Sequence, residues 1–150
     1  MTADKLKGRI LVFIVFIQLA CIVFIFASST PLANHFLLIL NQAAGMAIGI
    51  WAVAAMGIGN MNISPLVKDG ATLVTSGPYR LIRHPMYLAV LLVIWPVIID
   101  HFSLLRIAAG IILTIDLIVK MLFEESLLKE QFAQYEAYMK TTKRLIPLIF

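Results

Sequence analysis

The sequence predicts an all-α integral membrane protein with four transmembrane helices, a cytoplasmic loop and an amphipathic C-terminal tail. Two compositional facts support this class: 61% of the 150 residues are hydrophobic and only 13% are charged. Soluble chains carry about 25% charged residues, so this chain cannot cover a water-exposed surface. Soluble enzymes, disordered tails and secreted scaffolds are therefore excluded. The net charge of +4 does not indicate nucleic acid, because basic residues in so apolar a chain flank membrane spans and face anionic headgroups.

The first two predicted spans are residues 10–27 and residues 36–59. The first is long enough to cross about 30 Å of hydrocarbon, with only Gln18 and Cys21 as polar interruptions. The second contains Gly45 and Gly49 in a Gly-x-x-x-Gly pair, a spacing typical of close helix packing. With a single cysteine, the sequence offers no disulfide framework and no thiol cluster, and we predict no metal site.

The third and fourth predicted spans form a helical hairpin. Residues 86–99, interrupted by Pro96, would rise only about 20 Å as a helix, so this span must thin the bilayer or lean against a neighbour. We therefore expect a lateral gap beside it, lined by Lys120 and Asp116 and open to lipid. Residues 104–123 return immediately after the short turn at residues 100–103.

The basic residues predict which ends of the spans face the cytoplasm. Ten of the twelve Lys and Arg residues fall on the side of the termini and of the loop at residues 60–84, whereas Arg106 lies near the opposite side and Lys120 lies within a span. By the positive-inside rule, both termini and this loop are predicted to be cytoplasmic. No segment is long enough to form a second domain.

The polar loop before the third span is the first candidate site. Pro85 can open a helix directly behind His84, which places the imidazole near a positive helix end and backbone amides that could receive an anion. The alternative is that His84 only caps this helix while Arg80 and Arg83 contact lipid phosphate.

The cytoplasmic end of the fourth span carries the second candidate cluster. Asp116, Lys120 and Glu124 are spaced i, i+4, i+8 and share one helix face. An ionisable residue as deep as Asp116 usually faces a bundle interior or a cavity. The simpler interpretation is an ion pair that fixes helix packing. If the hairpin is correct, the ends carrying His84 and Glu124 meet in one pocket. The amphipathic tail, with Phe132, Tyr135 and Tyr138, is either interfacial packing or a lid over that pocket.

Several of these segments together resemble a known family. Residues 73–79 (LVTSGPY), residues 83–87 (RHPMY), the Glu124–Glu125 pair, residues 132–138 and residues 144–147 (RLIP) are similar to the isoprenylcysteine carboxyl methyltransferase family and to its relatives, the phospholipid methyltransferases. The motifs occur in the family's order and close to its spacing. The resemblance covers the C-terminal half of the chain.

The resemblance implies S-adenosylmethionine as methyl donor and a pocket between the loop and the last two spans. The cofactor contacts that it implies are Ala71, Thr72, Leu73, Val74, Tyr79, His84, Pro85, Met86, Tyr87 and Glu124. The catalytic candidates are Arg83, Lys120 and Glu125. Lys120 stands where the family has an arginine, so the charge is kept but the bidentate fork for a carboxylate is lost.

The predicted function is a membrane-embedded methyltransferase that acts on a lipophilic or lipid acceptor. A carboxylate acceptor would need a cation such as Lys120 or Arg83 to orient it, whereas a phospholipid amine would need Glu125 or His84 to take its proton. The sequence leaves both open, and it indicates no oligomeric state. A small proton-coupled transporter centred on Asp116 and a nicotinamide-dependent sterol reductase are the alternatives, but neither explains the Glu124–Glu125 pair.

Overall fold

The structure is a computed structural model that describes residues 3–57 and 72–147. These residues form five α-helices and one short 3-10 helix, in agreement with the predicted all-α class. The elements are α1 (Ala3–Ala27), α2 (Phe36–Met56), the 3-10 helix (Gly77–Arg80), α3 (Pro85–Asp100), α4 (Leu104–Gln131) and α5 (Tyr135–Thr141). Within the described ranges, strand-like pairing is limited to a single parallel bridge between Ile82 and Lys143.

Two of the four predicted spans are long and apolar enough to cross a membrane. They are Gly8–Ala27 in α1 and Phe36–Met56 in α2. Only 22% and 17% of their residues are buried inside the molecule, whereas the core helix of a soluble protein is mostly buried. Helix α3 is apolar but has 16 residues, and α4 carries charged side chains along its C-terminal half.

Two helix ends do not coincide with the ends of the predicted membrane spans. Helix α2 ends at Met56 because Gly57 leaves the helical conformation, with a φ of +71° that glycine takes at little cost. The last residues of the predicted span, 58 and 59, lie outside the described part of the chain. Helix α4 continues to Gln131, past the end of the predicted membrane span at residue 123, since the segment remains rich in helix formers. The predicted tail therefore begins as helix.

Helix α2 packs along α3, and α1 packs along α4. The close approach of α2 and α3 depends on Gly45, where an added Cβ would lie 2.8 Å from Leu92 Cβ and 3.0 Å from the carbonyl oxygen of Ala89. The core between α1, α3 and α4 is apolar and includes Ile25, Val97, Leu113 and Leu117, each at most 1% exposed. Burial of such side chains stabilises the fold by about 25 cal/mol for each Å² of apolar surface removed from water. Burial of surface that would otherwise face lipid contributes less, because lipid tails are themselves apolar.

An apolar cleft of about 640 Å³ lies among α1, α2 and α3. Ile22 and Phe26 form its α1 wall, Gly49 and Val53 belong to its α2 wall, and the floor on α3 includes Ala89. A lateral gap beside α3 was predicted, but with Asp116 and Lys120 in its lining. The residues that line the observed cleft belong to α1, α2 and α3, so these two α4 residues are not part of its lining.

Polar contacts hold together the two loops at the end remote from the candidate site. The backbone N and the Nδ2 of Asn34 both donate to Asp100 Oδ2, at 2.8 Å each. Arg106 donates to the hydroxyl of Ser28 at 3.0 Å, to the carbonyl oxygen of Ser28, and to the carbonyl oxygen of His101 at 2.5 Å. These bonds fix the ends of α1 and α3 relative to α2 and α4.

Candidate functional site

The loop that precedes α3 is held against the end of α2. Gly77 has a φ of +60° and begins the 3-10 helix. An added Cβ there would lie 2.9 Å from Ala55 Cβ and 3.2 Å from Trp51 Nε1, so only glycine fits both the backbone conformation and the contact. Pro78 and Tyr79 follow and are buried. This turn therefore directs the chain into the site.

A C-terminal segment, residues 142–144, pairs with the end of the same loop. The backbone N of Arg83 donates to the carbonyl oxygen of Lys143 at 2.7 Å, and the backbone N of His84 donates to that of Arg144 at 3.0 Å. Lys143 N in turn donates to the carbonyl oxygen of Leu81 at 3.3 Å. These bonds satisfy the backbone immediately before α3 and bring two distant parts of the chain into register.

Glu125 lies at the centre of the buried charges. Its Oε1 is 2.8 Å from Arg83 Nε, its Oε2 is 3.1 Å from Arg144 Nε, and His84 Nε2 approaches Oε1 at 3.4 Å without the alignment of a hydrogen bond. Arg83 also donates through its NH1 to the carbonyl oxygen of Thr142 at 2.5 Å. Burial alone would raise the pKa of Glu125, but His84, Arg83 and Arg144 lower it to about 2.

Glu124 faces the loop side of the same cluster. Tyr87 donates its hydroxyl to Glu124 Oε1 at 2.5 Å, and His84 Nδ1 lies 3.8 Å from Glu124 Oε2. The rings of His84 and Tyr87 stack, with centroids 5.4 Å apart and planes 2° from parallel. Lys120 Nζ lies 5.3 Å from the centroid of the Tyr87 ring, within cation–π range. The predicted meeting of the His84 and Glu124 ends is therefore present.

Four buried polar atoms of the described residues lack a hydrogen-bond partner. They are Tyr79 Oη, His84 Nε2, Tyr135 Oη and Asp116 Oδ2. Burial first, and then nearby tyrosine or glutamate groups, raises the pKa of Tyr79 and of Tyr135, so both phenols keep their protons at neutral pH and can donate. Unpartnered buried polar atoms are uncommon and often mark places where a ligand binds. Except for Asp116 Oδ2, all of them surround the glutamate pair.

The remaining predicted residues are distributed more widely. Pro85 is buried as the first residue of α3, and Met86 lines the apolar cleft. In the extended segment before the 3-10 helix, Leu73 and Val74 are half-buried and Thr72 is exposed. Ala71 lies outside the described residues.

Two simpler interpretations of the clusters do not match the observed contacts. His84 is the residue before α3, but its side chain makes no capping bond and lies beside the two glutamates. Lys120 is buried and does not pair in alternation with Asp116 and Glu124; its Nζ donates to Gln18 Oε1 on α1 at 3.2 Å. A buried lysine needs a hydrogen-bond acceptor, and the half-buried Gln18 supplies one.

Sequence reasoning missed two participants. Gln18 was noted only as a polar interruption of the first span, although an intramembrane polar residue is a functional candidate by default. Thr142 contributes its backbone carbonyl to Arg83, and no side-chain pattern could have identified that contact.

A comparison with protein-family models matches residues 33–135 to the model described as phospholipid methyltransferase. The matched region covers more than half of the chain and contains α2, α3 and α4 with the whole His84, Tyr87, Glu124 and Glu125 cluster. No curated protein gives a match to the chain. Helix α1 and the C-terminal segment lie outside the matched residues.

Proposed function

The chain belongs to the phospholipid methyltransferase family, and from this premise we propose that it is a membrane-embedded methyltransferase that uses S-adenosylmethionine to methylate a lipid acceptor. The observation that best supports the proposal is the convergence of His84, Tyr87 and Glu124 beside unpartnered buried phenols. The family match does not favour the alternative function of a proton-coupled transporter centred on Asp116.

The residues around Glu124 suit the cofactor's functional groups. The Glu124 carboxylate can accept hydrogen bonds from an amino group or from ribose hydroxyls. Tyr79 Oη and Tyr135 Oη can donate to a carboxylate, and the stacked His84 and Tyr87 rings offer an aromatic face. S-adenosylmethionine, when bound, supplies a methyl group on a sulfonium centre. The protein's own contribution is to hold donor and acceptor in line and to exclude water.

Arg83 and Glu125 act in this proposal as positioning residues. Both are buried and spend their hydrogen bonds on the C-terminal segment and on each other. Because the pKa of Glu125 is about 2, this carboxylate is a poor proton acceptor at neutral pH. Their effect is to fix the backbone of His84, which donates to the C-terminal segment.

The acceptor has two candidate chemistries. A lipid carboxylate of the isoprenylcysteine type would be oriented by Lys120, whereas a phospholipid amine would lose its proton to a base beside the glutamate pair, for which His84 is the candidate. The apolar cleft between α1 and α2 supports a hydrocarbon-bearing acceptor in either case.

The proposal is tested by calorimetry of the detergent-solubilised protein with S-adenosylhomocysteine. We expect His84→Ala and Glu124→Gln each to weaken binding about 10- to 100-fold, the usual loss for a charge-assisted hydrogen bond. Glu130→Gln is the matched control, because Glu130 is an exposed glutamate on the same helix. Wild-type protein that is folded but binds no S-adenosylhomocysteine would contradict the proposal.

A further inference from the structure

A second polar cluster lies deeper, between α1 and α4. Lys120 Nζ donates to Gln18 Oε1 at 3.2 Å and lies over the Tyr87 ring. Asp116 is one turn before Lys120 on α4 and interacts electrostatically with Lys120, with Tyr87 and with Cys21 of α1. Polar groups from three helices therefore meet next to the Glu124 cluster, on the side away from the loop.

Asp116 is the unusual member of this cluster. Asp116 is only 7% exposed, and its Oδ2 has no hydrogen-bond partner. By contrast, both carboxylate oxygens of Glu125 are bonded to arginines, and Glu124 accepts a hydrogen bond from the Tyr87 hydroxyl. A buried carboxyl oxygen without a donor is destabilising, so its presence needs a reason other than packing.

We propose that Gln18, Asp116 and Lys120 form the head-group subsite for the lipid acceptor, in which Asp116 Oδ2 accepts a hydrogen bond from an N–H group of an amine head. This subsite rests on the proposed methyltransferase function. Lys120 keeps donors free for an anionic group of the same head, because Gln18 occupies one of its three N–H bonds. A lipid head with an anion and an amine matches a lysine and an aspartate one helical turn apart.

The apolar cleft adjoins this subsite and fits the acceptor's hydrocarbon chain. Ile22, which lines the cleft, is one turn from Gln18 along the same face of α1. Val90 also lines the cleft and is one turn from Tyr87 on α3. A head at Gln18 and Asp116 thus leaves its chain next to a wholly apolar surface.

Gln18 acts as a positioning residue through Lys120, and it lies on a helix that the family match does not include. Selection of the acceptor would then depend on α1, whereas the cofactor contacts lie on the loop, α3 and α4. Variants of α1 should therefore change the binding of the acceptor without changing the binding of the cofactor.

The test compares Asp116→Leu and Gln18→Leu with Gln42→Leu. Gln42 is a glutamine inside α2 and is more buried than the half-buried Gln18, but its amide bonds Ala33 N, the Pro31 carbonyl and the Val93 carbonyl, at 2.9, 3.0 and 3.3 Å. It therefore serves as a matched structural control. The readouts are Tm, the dissociation constant of S-adenosylhomocysteine, and kcat and KM with phosphatidylethanolamine and with a farnesylcysteine carboxylate in mixed micelles.

We expect Asp116→Leu to raise the KM for phosphatidylethanolamine at least ten-fold, to leave S-adenosylhomocysteine affinity within two-fold, and to keep or raise Tm because an unpartnered polar group is removed. Gln18→Leu should raise the same KM with little change in kcat. Gln42→Leu should lower Tm and leave that KM unchanged.

Different outcomes contradict different statements. A wild-type protein that binds S-adenosylhomocysteine and methylates only the carboxylate lipid would overturn the subsite but not the methyltransferase proposal. An unchanged KM for phosphatidylethanolamine in folded Asp116→Leu and Gln18→Leu variants would also overturn the subsite and leave the methyltransferase proposal standing. If Asp116→Leu abolishes S-adenosylhomocysteine binding, Asp116 belongs to the cofactor pocket instead. A wild type that binds no S-adenosylhomocysteine overturns both proposals.

Discussion

At the scale of single residues, Glu125 links the stability of the protein to pH. Its pKa in the folded protein is about 2, compared with an ordinary value of 4.5. The stabilisation is therefore fully present above pH 4.5 and is lost as the pH falls toward 2, because the unfolded chain takes up the proton first. We expect the wild-type Tm to fall across this window, and we expect Glu125→Gln to have a lower Tm at pH 7 and a flatter profile.

Thermal unfolding in detergent between pH 7 and pH 2.5 measures this effect. Glu136→Gln, at an exposed glutamate of α5, should keep the wild-type pH profile. A Glu125→Gln variant with the full wild-type slope between pH 4.5 and 2.5 would show that other carboxyl groups govern acid stability.

Arg83 illustrates why two basic residues are not interchangeable. Its Nε and NH1 serve Glu125 and the Thr142 carbonyl at once, which the single ammonium of lysine cannot reproduce. We expect Arg83→Lys to destabilise the protein by about 1–3 kcal/mol, the cost of leaving a buried partner unsatisfied. Hydrogen exchange should become faster in residues 135–147. Arg80→Lys, at an exposed neighbouring arginine, is the control, and equal exchange in both variants would contradict this role.

At the scale of helices, the contact between α2 and α3 depends on glycine. Gly45→Ala places a Cβ 2.8 Å from Leu92 Cβ and 3.0 Å from the backbone carbonyl of Ala89, so the helices must separate. We expect a loss of about 1–3 kcal/mol, as for other overpacked contacts, seen as a lower Tm.

Gly8→Ala provides the comparison, because an added Cβ at Gly8 meets nothing within 4 Å. Alanine favours helices, so this variant should be neutral or stabilised by up to about 1 kcal/mol. If both glycine variants change Tm equally, helix propensity rather than the α2 contact determines the effect.

The sequence predicts helices better than it predicts where they end or what they contact. Long apolar runs and the Gly-x-x-x-Gly spacing are local features, and they gave α1, α2 and the close contact at Gly45. The helix of α4 extends to Gln131, beyond the predicted membrane span, because charged residues end a span in lipid but are good helix formers outside it.

The site was predictable where side-chain motifs carry it and not where tertiary contacts do. His84, Tyr87 and Glu124 meet as expected from a hairpin of α3 and α4. The contact of Lys120 with Gln18 joins positions 102 residues apart in sequence, and the contact of Arg83 uses a backbone carbonyl of Thr142. Neither follows from spacing along one helix.

At the scale of the whole molecule, the charge distribution predicts the orientation in the membrane. Leu32 and Ser76 are exposed and lie in loops at opposite ends of the helices. We expect Leu32→Cys to react with an impermeant maleimide from outside intact cells, and Ser76→Cys to react only after permeabilisation. The native Cys21 is buried and serves as the unreactive background. The reverse labelling pattern would contradict cytoplasmic termini and loop.

Because residues 142–144 pair with the end of the loop, the site can form only after this C-terminal segment has been synthesised. A ribosome makes α1 to α4 before it makes Lys143 and Arg144, yet His84 N and Arg83 N bond the carbonyls of those two residues. The helices can therefore be inserted before the C-terminal segment has joined the site. A released chain that ends at Thr141 should be inserted but unable to retain ligand, whereas the chain with residues 142–150 should bind it.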